Sequence, residues 1–170
     1  MARRRYRRRY RRKGRWSSNI KAIEDETIAF PGNQKSSASI TLCYNPVQSD
    51  NTVSQQYTVK NVELSYEINY MSNAVDIESI TGYIMFVPQG MIVGEDYAQF
   101  HPEYIMAMKF YGSPDADTTP NRSPMRIKTR LSRRLNTGDS IIFYITALNN
   151  SANSIQTKIN GLLRWWTKAN

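Results

Sequence analysis

The chain has 170 residues, 40% of them hydrophobic, enough for one domain of ordinary size whose core needs no disulfide. It carries 23 Lys plus Arg against 14 Asp plus Glu, a formal net charge of +9, which points to a polyanionic partner. One Cys (Cys43) excludes an intrachain disulfide and multi-cysteine zinc sites, and one His (His101) excludes paired-imidazole metal centres.

The charge is unevenly placed. Met1 to Arg15 holds nine Arg and one Lys without an acid, so +10, while the remainder holds 13 basic and 14 acidic residues, so −1. The chain therefore divides into a basic arm, residues 1–16, and a near-neutral body, residues 17–170. The arm repeats in fours: Arg3-Arg4-Arg5-Tyr6, Arg7-Arg8-Arg9-Tyr10, then Arg11-Arg12-Lys13-Gly14-Arg15-Trp16. Like charge at this density, with almost nothing apolar to bury, predicts a disordered segment. Guanidinium forks match phosphate oxygens at two points, and neutralised phosphates release counterions whatever the base sequence. The interleaved aromatic rings can stack on unpaired bases. Nucleic acid is thus the expected partner of Arg3, Arg4, Arg5, Tyr6, Arg7, Arg8, Arg9, Tyr10, Arg11, Arg12, Lys13 and Arg15. The same run can serve as a nuclear-import signal. Membrane insertion is not expected, because the arm has no aliphatic face. The uncharged stretch from Ser79 to Gly94 is too short to span a bilayer and is interrupted by Pro88 and Gly90.

The body reads as strands rich in Val, Ile, Thr, Tyr and Phe between Pro, Gly, Asn and Asp breakers. Eight candidates follow in order: Ile20–Phe30, Ser37–Asn45, Tyr57–Tyr70, Ser79–Gln89, Tyr104–Gly112, Met125–Leu135, Ser140–Asn149 and Ile159–Lys168. In the third, Val62, Leu64, Tyr66, Ile68 and Tyr70 share one side with Thr58 and Lys60. Val59, Asn61, Glu63, Ser65, Glu67 and Asn69 share the other, which predicts a sheet with one inward face. The seventh is apolar on both sides from Ile141 to Ile145 and should lie centrally. One short helix is expected in the connection, near Glu95 to Phe100 or after His101-Pro102-Glu103, where Pro102 suits a first turn. The predicted fold is all-β: an eight-stranded antiparallel jelly roll, a two-sheet sandwich, behind a disordered Arg-rich arm.

In the sixth candidate Arg126, Lys128 and Arg130 alternate with Ile127, Thr129 and Leu131, and Arg133 and Arg134 follow. The basic side is either a solvated strand face, a second polyanion site, or one half of intersubunit ion pairs with Glu63 and Glu67. His101 with Glu103 reads as structural before catalytic. Glu24-Asp25-Glu26 reads as a solvated strand edge before a cation site. Trp165-Trp166 predicts one ring in the core and the other outside or at an interface. No nucleotide-binding glycine loop and no nucleophile–base–orienter set can be assembled. The expectation is a protein that is not an enzyme and uses no cofactor or metal.

Four stretches, in order along nearly the whole chain, resemble the capsid proteins of small circular single-stranded DNA viruses, the circovirus-like, replication-protein-encoding group. They are the Met1–Tyr6 opening, Gly82-Tyr83-Ile84-Met85-Phe86-Val87-Pro88-Gln89-Gly90, His101–Tyr104 running into Lys109–Gly112, and Arg126–Leu135 with Asn136–Ser140 behind it. The resemblance implies a single jelly roll, self-assembly into an icosahedral shell of about sixty copies, and an Arg-rich arm on a packaged single-stranded DNA genome. It also implies use of host nuclear-import machinery, with the virion and the host nucleus as locations. It supplies no catalytic residue. Two other readings remain at the level of sequence. One is the capsid of a small satellite RNA virus. The other is a cellular nucleic-acid-binding module of ribosomal or chromatin type, which would stay a monomer on nucleic acid.

Overall fold

The computed structural model describes residues 15–46, 56–70, 77–112 and 125–169. In chain order it contains β1 (Ser17–Phe30), β2 (Gln34–Tyr44), β3 (Tyr57–Tyr70), β4 (Ile77–Val87), a short helix α1 (Tyr97–Phe100) and a 3-10 turn (Pro102–Tyr104). Then come β5 (Ile105–Gly112), β6 (Met125–Lys128), β7 (Ser132–Leu135), β8 (Ser140–Asn149) and β9 (Ile155–Ala169). The single short helix expected at one of two places is met by α1 at the first, and a 3-10 turn opens on Pro102 at the second. Among the described residues no helix is long and apolar enough to cross a membrane.

The strands form two antiparallel sheets. The first runs β1-β9-β3-β6, with β7 also paired to β3; the second runs β2-β8-β4-β5. Apart from the consecutive pair β4 and β5, neighbours within a sheet come from distant parts of the chain, and each sheet has four strand positions, since β6 and β7 follow one another along β3. This interleaved order is that of a jelly roll.

The sixth predicted strand is therefore two. The cause lies in β3, whose register slips between Lys60 and Glu63, with Asn61 at φ 51°. A bulge adds a residue to one strand and bends it, so the edge partner cannot follow it continuously. The backbone N–H of Thr129 still donates to the Val62 carbonyl at 2.9 Å, and the Leu131 N–H turns onto Thr129 Oγ1 at 3.0 Å. Leu131, which alternation sets on the same side as buried Ile127 and Thr129, is instead 53% exposed, because pairing of β6 ends at Lys128. The bulge also shifts the phase of β3. Strict alternation places Val59 on the polar side, yet Val59 and Val62 are both fully buried. From Val62 to Ile68 the predicted alternation holds.

The core is the layer between the sheets. Phe30, Leu64, Tyr66, Ile84, Phe143, Ile145, Ile159 and Leu163 are all at or below 1% exposure, and the Tyr66 and Phe143 rings meet at 4.8 Å. Strand β8 is apolar on both faces for a visible reason. Ile141, Phe143 and Ile145 enter the inter-sheet layer, while Ile142 and Tyr144 join Met85, Val87, Tyr97 and Ala98 in a second cluster. Tyr144 Oη lies against the carbonyls of Gly94, at 2.9 Å, and Glu95, which holds the helical connection onto this sheet. Trp165 packs against the main core and Trp166 belongs to neither cluster, as one ring in and one out requires.

Asn149, fully buried at the end of β8, ties two loops together. Its Nδ2 donates to the carbonyls of Phe30 at 2.9 Å and Asn153 at 3.0 Å, and its Oδ1 accepts the Ser151 N–H at 2.9 Å. Asn149→Ala leaves these buried groups unpaired and should cost about 1–3 kcal/mol in urea unfolding. Cys43 is buried, and desolvation pushes its thiol up to about 12. A raised thiol pKa makes its contribution to stability complete below the unfolded value of about 8.5 and lost as pH rises toward 12. At neutral pH a thiol-specific disulfide reagent should label the urea-unfolded chain rapidly and the native chain far more slowly.

Candidate nucleic-acid interface

Of the basic residues singled out in the sequence, Arg3, Arg4, Arg5, Tyr6, Arg7, Arg8, Arg9, Tyr10, Arg11, Arg12 and Lys13 lie outside the described residues. Arg15 is exposed, and Trp16 stands immediately before β1. The Lys60 ammonium sits 3.9 Å from the centre of the Trp16 ring, a cation–π contact that fixes the root of the arm beside the β3 bulge.

Antiparallel partners in register project to the same face of a sheet. On the outer face of the first sheet this gives rows read across the strands. Ser18, Trp166, Lys60 and Ser132 form one row, and Ile20, Arg164, Glu63 and Lys128 the next. Ala22, Leu162, Ser65 and Arg126 form the third, and Lys168, Thr58 and Arg134 lie on the side of the arm. Six cations, Lys60, Arg126, Lys128, Arg134, Arg164 and Lys168, thus share this end of the face with one acid, Glu63. Farther from the arm the rows turn to Asn160 with Glu67 and Lys158 with Asn69. Lys158 is engaged by Asp25 at 3.6 Å.

The structure brings Arg126 and Lys128 together on this face, as their alternation predicts. Arg126 Nη2 bonds Glu63 Oε1 at 2.7 Å, and that hydrogen bond raises the guanidinium pKa further. The Glu63 partner foreseen across a subunit contact is therefore met within one chain. Arg130 is exposed in the break after β6. Arg133 takes the opposite side from Arg134. It pairs with Val59, donates from Nη2 to the Glu103 carbonyl at 2.7 Å and covers the Phe86 ring at 5.6 Å, so it bridges the two sheets.

Lys60, Arg164 and Lys168 were not singled out from the sequence. The signal was present in β9, where Leu162, Arg164, Trp166 and Lys168 alternate with Leu163, Trp165 and Thr167. Joining them to Arg126 and Lys128 requires the register of three strands.

The other candidate clusters are weaker. His101 Nδ1 lies 3.3 Å from Glu103 Oε1 on the surface, with its ring stacked on Tyr104 at 5.4 Å. The backbone N–H of Glu103 itself, and then His101, holds the Glu103 carboxyl below its ordinary value. Glu24, Asp25 and Glu26 lie exposed at a bulge in β1. Among the described residues no three His, Cys, Asp or Glu side chains gather to hold a metal ion.

No protein-family model matches the chain, and no curated protein matches it in sequence. Among solved structures it is similar to the empty head of turnip yellow mosaic virus, with 17% identity over 89% of this chain and 80% of that one, TM-score 0.40. It is also similar to the cyanophage Pam1 capsid, with 15% identity over 88% and 85%, TM-score 0.42. The decameric BFDV capsid protein aligns at 6% identity over 91% and 99%, TM-score 0.41. The jelly-roll assignment rests on the strand order within this chain.

Glu63→Gln removes the acid from the cationic rows and releases Arg126. In anisotropy titrations of the full chain with an oligonucleotide, affinity should rise, and the log–log salt dependence should steepen by up to about 0.7. Changing Arg126, Lys128 and Arg130 together to Gln should weaken binding while folding and assembly persist, because Ile127 and Thr129 keep their buried places.

Proposed function

We propose that this chain is a structural capsid protein whose jelly-roll body self-assembles into a small icosahedral shell and whose Arg-rich arm packages single-stranded DNA. The observation that carries the reading is the separation of +10 in the arm from −1 in the body, with the arm rooted on the cationic end of one sheet face. An arm of this charge attracts polyanion without reading sequence. A near-neutral sandwich can associate without large self-repulsion. Exposed apolar side chains on β5, Met108 at 62% and Phe110 at 65%, offer contact area for association. The sequence resemblance supplies the choice of DNA over RNA, the shell, and the passage through host nuclear import. The protein then resides in the virion and, during infection, in the nucleus.

Negative-stain microscopy of the expressed protein should show closed particles, and the co-purifying nucleic acid should resist ribonuclease and yield to deoxyribonuclease. A monomer on nucleic acid would favour a cellular binding module, and ribonuclease-sensitive contents would favour an RNA virus capsid. Deleting Ala2–Arg15 removes +10 and leaves every strand. The truncated protein should form particles whose 260/280 nm absorbance ratio is that of protein alone, and a fluorescent fusion should remain cytoplasmic. Particles still filled with nucleic acid would move the packaging function from the arm to the body.

A further inference from the structure

We infer that the outer face of the first sheet carries a binding site for unpaired nucleic acid, in which Trp166 stacks on a base and Lys60, Arg164 and Lys168 hold the neighbouring phosphates. The inference deepens the packaging reading and rests on it for the class of partner.

Three observations converge. First, Trp166 is a large aromatic that the fold does not use for its core. Its neighbour Trp165 packs inward, while Trp166 belongs to neither hydrophobic cluster and stays partly exposed. Second, its surroundings on the face are cationic. Lys60 is its partner on β3, Arg164 and Lys168 flank it on the same side of β9, and Arg134 lies one row away. Third, the charge is graded. The rows around Trp166 gather the cations, whereas Lys158, eight residues back along β9 and roughly 27 Å away at about 3.4 Å per residue, is paired with Asp25.

A plain electrostatic surface would bind duplex and single strand through the same phosphates. A ring set among cations adds a contact that only an unstacked base can accept, because duplex bases keep their faces occupied. Trp16, held by Lys60 at the root of the arm, lies beside this site. One strand can therefore run from the face onto the arm. A Trp ring among cations also suits the headgroup region of an anionic membrane, so anionic lipid vesicles enter the test as the competing outcome.

The test uses the full chain, titrated by fluorescence anisotropy with an oligo-dT strand, an oligo-rU strand and a DNA duplex of equal length, across a range of salt. Trp166→Thr keeps a residue suited to strands and should weaken single-strand binding about fivefold or more. Duplex binding should change less than about twofold, and Trp166→Phe should restore most of the selectivity. Lys60→Gln, Arg164→Gln and Lys168→Gln together should flatten the log–log salt slope by up to about 2. Lys158→Gln should change neither quantity. Thermal melting and particle formation, unchanged in Trp166→Thr, would exclude a folding defect. Comparable loss on rU and dT supports a site for unpaired strands of either sugar, and a greater loss on rU assigns it to RNA. An unchanged single-strand to duplex ratio in Trp166→Thr would overturn it. So would face variants that lose binding to vesicles of anionic lipid while oligonucleotide binding persists. The two failures are distinguishable. If the unsubstituted chain binds no nucleic acid, the packaging reading falls; if it binds and these variants bind alike, only the face is wrong.

Discussion

The structure depends on one layer of apolar side chains trapped between two sheets. Tyr66 from β3, Phe143 from β8, Ile84 from β4 and Leu163 from β9 are all buried there. Each such side chain contributes about 1.5–3 kcal/mol by leaving water, and together they must offset the chain entropy of ordering a domain this size. Their burial fixes the register of β3, β8 and β9, because a slip of one residue would turn each of these side chains outward. Once those registers are set, the outward residues are set as well.

The two outer faces then meet different fates. On the second sheet, Ile142 and Tyr144 are too apolar to face water and are covered by the connection carrying Tyr97 and Ala98. On the first sheet the outward residues of β3, β6, β7 and β9 are polar or charged apart from Leu162 and Trp166. The cations crowd toward the end where the arm begins. The ten positive charges counted in the arm add to the six on the face, and a bound polyanion relieves such repulsion as added salt does.

The bulge in β3 is where the packing and the charge distribution meet. By adding a residue between Lys60 and Glu63 it keeps both Val59 and Val62 in the core. The same step leaves Lys60 facing outward against Trp16 and parts β6 from β7, on which the consecutive Arg133 and Arg134 face opposite sides by strand alternation. Arg133 joins the two sheets through the Glu103 carbonyl, and Arg134 remains with the exposed cations.

Strand composition, breakers and the doubly apolar Ile141–Ile145 run were legible in the sequence, because period-two burial and turn chemistry are local. The split between arm and body was legible for the same reason, since charge can be counted along a chain. The pairing of Arg126 and Lys128 on one face also followed from alternation alone. The bulge was not legible: nothing in Lys60-Asn61-Val62 announces an extra residue, and its cause is the fit of β3 against β9 across the sheet. Nor was the grouping of Lys60, Arg164, Trp166 and Lys168 with Arg126 and Lys128. Those residues lie far apart in sequence, and only long-range antiparallel register makes them neighbours.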